Sequence, residues 1–71
     1  MASRNINAIV GGNIQTIRER NGLNPSDLAS LTEVPEVRLL NIEGGDIRAT
    51  VEELHALKTA LKAEIKEFYK L

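Results

Sequence analysis

The chain has 71 residues, 42% hydrophobic and 27% charged, with a net charge of −1. That is room for one domain with one small core, and a core of this size is marginal alone, so a homodimer is expected. There is no cysteine and a single histidine, which excludes disulfides and thiolate metal sites and leaves no ligand set for structural zinc. The slightly acidic balance gives no overall pull toward phosphate. No apolar run approaches a membrane span and no charged-then-apolar leader opens the chain, so the expected location is the cytoplasm.

Residues 1–5 are polar and are expected to fray. Apolar residues at 6, 9, 10, 14 and 17 recur at helical spacing. They predict a first helix over Asn13 to Arg20 that extends back toward Ile6. Gly11 and Gly12 interrupt the pattern; they mark a break, a late start, or close packing against a neighbour. Asn21-Gly22 is a helix stop, because both residues tolerate left-handed backbone angles.

Asn24 before Pro25 is a cap followed by a first-turn proline, and predicts a second helix from about Pro25 to Leu31. Leu28 and Leu31 are expected to point inward. Thr32, Glu33 and Val34 form a turn. Pro35 starts a third helix running to about Glu43, with Leu39 and Ile42 inward, and Gly44-Gly45 ends it. Thr50 caps a fourth helix, with Glu53 completing a capping box. Val51, Leu54, Leu57 and Leu61 form its apolar stripe. Ile65 and Phe68 continue into a fifth. Nothing alternates as a strand would, so the fold class is all-α.

These signals, in this order, resemble the lambda-repressor-like, Cro/C1-type helix-turn-helix domains. The likeness runs from about Val10 to Tyr69. It rests on Arg18-Glu19-x-x-Gly22-Leu23, Leu28-Ala29, Val34, Ile42-Glu43-x-Gly45 and the series Leu54, Leu57, Leu61. The resemblance implies a compact five-helix single domain over 1–71, with its helix-turn-helix at 24–45. It also implies that the third helix enters the major groove. Ala29 would be small where helices 2 and 3 meet. Arg18 and Glu43 would form a partly buried ion pair joining helix 1 to the end of helix 3. The chain departs from the family pattern at Lys62, where a glycine usually separates helices 4 and 5. Either the two helices run together or Lys62 takes a strained backbone.

On this reading Glu36, Val37, Arg38, Leu40 and Asn41 face the bases. Arg38 suits guanine, Asn41 adenine, Glu36 a cytosine amino group, and Val37 a thymine methyl. Asn24, Ser26, Arg48 and Thr50 are the candidate phosphate contacts. Phe68, Tyr69 and Leu71 are the candidate dimer contact, part of it closing the core.

The objection is electrostatic. Residues 24–45 carry Asp27, Glu33, Glu36 and Glu43 against Arg38 alone, whereas DNA affinity draws on cations. Arg4, Arg20, Arg48 and the helix-5 lysines help only if the fold or a dimer brings them to the same side. The competing expectation is a protein partner met through Glu33, Glu36, Val37 and Leu40, as in an antiactivator that does not bind DNA.

Other features have plain readings. His55 belongs to the core edge or to solvent. Gly44-Gly45 is a helix stop, with no phosphate-loop sequence after it. Ser3, Ser26 and Ser30 lack a base. Lys58, Lys62, Lys66 and Lys70, beside Glu64 and Glu67, make a solvated, salt-bridged face. No catalytic constellation, cofactor, metal site, membrane contact or small-molecule effector is expected. The function expected is a repressor-type transcriptional regulator that binds double-stranded operator DNA as a homodimer.

Overall fold

A computed structural model describes residues 5–71, with 1–4, and so Arg4, outside the described residues. Five helices follow one another: α1 Ile6–Arg20, α2 Pro25–Thr32, α3 Glu36–Glu43, α4 Val51–Leu61 and α5 Ile65–Phe68. There is no strand among the described residues.

Asn5, expected to fray, instead caps α1: its side chain accepts the Asn7 N–H at 2.8 Å. The helix then runs unbroken through Gly11 and Gly12. Close packing, and not a break, explains Gly11. A β-carbon there would collide with the carbonyl of Ile42 and lie 2.8 Å from that of Glu43. Gly12 faces open space. Thus α1 crosses the end of α3 backbone to backbone, and only glycine permits it.

Thr50 with Glu53 forms the expected capping box, and the expected cap Asn24 forms a second one with Asp27. Each satisfies N–H groups that a helix start leaves unpaired. Pro35 is the residue before α3 and not its first helical position. Glu33 turns the chain between α2 and α3 with φ 62°, and Lys62 ends α4 with φ 55°. The strained-backbone alternative at Lys62 is therefore the one adopted, and helices 4 and 5 stay separate.

One core joins all five helices, with Ile14, Leu28, Leu39, Ile42, Leu57 and Phe68 fully enclosed. Phe68 is thereby removed from the candidate dimer contact: it closes the core. Leu31 and Val51, expected inward, are instead exposed at 60% and 79%. α2 is only eight residues long and its single buried residue is Leu28. Val51 is the first residue of α4, where the chain has not yet reached the core. Asn13 makes a link that its type alone did not signal. Its amide donates to the carbonyls of Phe68 and Lys70, at 2.8 and 2.7 Å, and ties the C-terminal segment to α1.

Candidate nucleic-acid interface

The helix-turn-helix is fixed from behind by one ion pair. Arg18 donates from Nε and Nη2 to the two carboxylate oxygens of Glu43, at 2.7 and 3.0 Å. Its Nη1 donates to the Leu23 carbonyl at 2.8 Å. Both side chains are buried. The hydrogen bond to Glu43, against the cost of burial, raises the Arg18 pKa above its ordinary value. One side chain thus holds α1, the loop before α2 and the end of α3, which sets the angle at which α3 is presented. The buried pair does not by itself signify net stability, since desolvation offsets much of the attraction.

On α3, Glu36, Val37 and Leu40 are exposed, and Asn41 is half-buried. Val37 at 73% and Leu40 at 47% exposure leave an apolar strip on the outward side. Arg38 differs from the other four. Its Nε and Nη2 donate to the two carboxylate oxygens of Glu53, the third residue of α4. This pair bridges α3 to the start of α4. The Arg38 hydrogen bond, followed by the Thr50 N–H and opposed by partial burial, holds the Glu53 carboxyl below the usual carboxylate range. Glu53 in turn raises the Arg38 pKa.

The phosphate candidates fall into two places. Asn24 and Ser26 are both exposed or nearly so at the start of α2. The Asn24 side-chain oxygen is used, accepting the Asp27 N–H at 2.8 Å. Its amide N–H groups are the part left to offer. Arg48 and Thr50 lie in the α3–α4 connector and share one groove wall. The Thr50 N–H donates to Glu53 at 2.8 Å, so Thr50, Glu53 and Arg38 form one cluster. Arg48 is exposed and takes part in no ion pair among the described residues.

Two ion pairs bear on the charge count. Glu43 is matched by Arg18 and Arg38 is matched by Glu53. What remains uncompensated in 24–45 is Asp27, Glu33 and Glu36. The three uncompensated acids leave the segment at −3, the same as counting its own residues gives, but its one cation is spent on α4. Glu53 was legible as a cap but not as the partner of Arg38. The available signal was an arginine and a carboxylate each at the third position of its helix.

A second feature adjoins Arg48 and Thr50. A groove of about 440 Å³ is bordered by Ile6, Val10, Ile47, Val51, Leu54 and Tyr69 among others. Ile6, Val51 and Tyr69 are exposed, as is Leu71 at the C-terminus. Lys62, Lys66 and Lys70 are exposed and Lys58 is half-buried; Lys66 lies beside Glu64, and Arg20 of α1 beside Glu67. No helix among the described residues is long and apolar enough to cross a membrane. No cluster of three metal-ligating side chains occurs among them.

No family model and no curated protein matches the chain by sequence. Solved structures do match it by fold. The restriction-modification controller protein C.AhdI from Aeromonas hydrophila aligns over 89% of this chain and 96% of its own, at 24% identity and TM-score 0.85. The clp gene regulator ClgR from Corynebacterium glutamicum aligns over 94% and 71%, at 21% identity and TM-score 0.89. An HTH_3 family transcriptional regulator from Vibrio cholerae aligns over 90% of this chain and 36% of its own length, at 25% identity and TM-score 0.83. The fold is that of the Cro/C1-type helix-turn-helix domains, as the sequence resemblance implies. The similar proteins are a controller and two regulators, and none is described as an enzyme.

Proposed function

We propose that the chain is a DNA-binding transcriptional regulator of repressor type, not an enzyme, acting as a homodimer on a two-fold operator. The observation that carries this is the helix-turn-helix itself. α3 stands exposed on one side and is locked on the other by the Arg18–Glu43 pair, in a fold shared with three regulatory proteins. Glu36, Val37, Arg38, Leu40 and Asn41 meet the bases. Asn24, Ser26, Arg48 and Thr50 meet phosphates. Two such units on one operator place their third helices about 34 Å apart, in successive major grooves.

The dimer contact is assigned to Tyr69 and Leu71 together with the exposed apolar rim of Ile6 and Val51, without Phe68. The Asn13 hydrogen bonds support this, because they hold the C-terminal segment in place before a partner arrives.

A second reading has its own observation. Glu33 and Glu36, in the turn before α3 and at its start, have no ion-pair partner among the described residues and flank the exposed Val37 and Leu40 in sequence. Such a face suits a basic protein surface, as an antiactivator would need. Binding to the DNA upstream of the protein's own gene across a salt series separates the two. Specific binding with a steep salt slope supports the regulator. Absence of binding at low salt, with a protein partner co-purifying through α3, supports the second reading.

A further inference from the structure

The Arg38–Glu53 pair uses only one edge of the guanidinium. Nε donates to one oxygen of Glu53, and Nη2 donates to the other at 2.9 Å. A guanidinium carries five N–H donors in a fixed plane. Two are spent on this contact. Both N–H groups of Nη1 and the second of Nη2 remain, and the structure gives them no acceptor among the described residues. The unused Nη1/Nη2 edge is a second fork, shaped to meet two acceptors side by side.

Two acceptors in duplex DNA fit such a fork, a phosphate or the O6/N7 edge of guanine. Charge decides between them. Phosphate binding draws on a net positive charge and the counterions it releases. Arg38 beside Glu53 has little net charge to offer. A guanine edge is neutral and rewards placement of the donors. Here placement is supplied in advance. Glu53 is held at the start of α4 by accepting the Thr50 N–H at 2.8 Å, while its own N–H donates to the Thr50 hydroxyl at 3.0 Å. It is the inner member of the pair, 15% exposed against 37% for Arg38. The flexible arginine is therefore ordered before any ligand arrives, which removes that cost from binding.

We infer that Glu53 is a positioning residue that presents Arg38 as a preset fork to a guanine edge in the major groove, and not to a phosphate. This rests on the DNA-binding reading above.

The test uses the full chain and duplexes selected by it from a random-sequence pool. Single-pair replacements in a selected duplex then give the discrimination at each position. Glu53→Gln is the informative variant. Glutamine keeps the capping box at this position but loses the charge and cannot accept from both Nε and Nη2 while capping. Wild type should discriminate at one G·C pair by about tenfold or more, and Arg38→Ala should abolish that preference at the same pair. Glu53→Gln, with a thermal transition at neutral pH showing it folded, should lose most of the preference there. It should also steepen the slope of log affinity against log salt by about 0.9, one phosphate's worth, because Arg38 now carries free charge. A residue that only stabilised the fold would move neither quantity. Preference and slope both unchanged in Glu53→Gln would overturn the inference while leaving the regulator standing. So would tighter binding with the preference intact, which would make Glu53 a competitor for Arg38. No duplex binding by wild type at low salt would overturn the DNA-binding reading and this inference together.

Discussion

Arg18 on α1 and Glu43 at the end of α3 close on each other through two hydrogen bonds of 2.7 and 3.0 Å, both side chains buried, although 25 residues separate them. With the third bond to Leu23, this pair fixes where α3 stands. Removing one partner leaves an uncompensated buried charge, which costs about 3–5 kcal/mol. A domain this small has on the order of that much stability in total. Glu43→Ala should therefore lose most of its cooperative unfolding transition in thermal or denaturant melts. Replacing both partners by apolar residues, Arg18→Met with Glu43→Leu, should restore a transition. A Glu43→Ala protein as stable as wild type would mean the pair is not buried.

The adjacent glycines of α1 should respond with opposite signs. Gly12 sits in a helix with nothing within 4 Å of a β-carbon, so Gly12→Ala should stabilise by about 0.5–1 kcal/mol. At Gly11 the obstacle is the backbone of Ile42 and Glu43, which cannot swing aside. Gly11→Ala should cost about 1–3 kcal/mol by overpacking. Equal shifts in melting temperature would contradict the close crossing of α1 and α3.

Glu33 and Lys62 both hold left-handed backbones. That conformation costs a non-glycine residue about 1–2 kcal/mol, against about 0.4–1 kcal/mol for the extra unfolded-state freedom glycine brings. Glu33→Gly and Lys62→Gly should each come out stabilising, by about 0.5 kcal/mol, measured by urea titration. A loss of stability in either would count against the turn geometry.

Acid should weaken the fold partly through Glu53. Its folded pKa is lowered, chiefly by the Arg38 hydrogen bond. The folded state then binds fewer protons than the unfolded chain, whose glutamates titrate near about 4.3. This contribution is complete above that value and is lost as pH falls through the lower folded value. The melting temperature should drop below about pH 4.5, and drop less steeply in Glu53→Gln. Parallel curves for the two proteins would show that the pair is not formed in solution.

The scaffold was largely legible because its signals are local. Asn24 with Pro25 and Thr50 with Glu53 announce their helices within four residues. Leu28, Leu39, Leu57 and Leu61 fall inward at helical spacing. Leu31 and Val51 were misplaced, since in a short helix or a first turn the same spacing does not say which residues reach the core. The site was legible as an exposed, acidic α3 but not in its ion pairing. Arg38 finds its partner 15 residues away and Asn13 finds the C-terminal carbonyls 55 and 57 residues away. Such contacts follow from how helices cross, and no local pattern encodes them.

The central claim is that α3 and the residues flanking it form a DNA-reading surface. Backbone amide shifts of the isotope-labelled chain, titrated with a selected duplex at low salt, test it residue by residue. The account predicts changes concentrated at 24–27, 36–41 and 48–50, fading as salt is raised. Shifts confined to the lysines of the C-terminal part, or none on adding duplex, would contradict it.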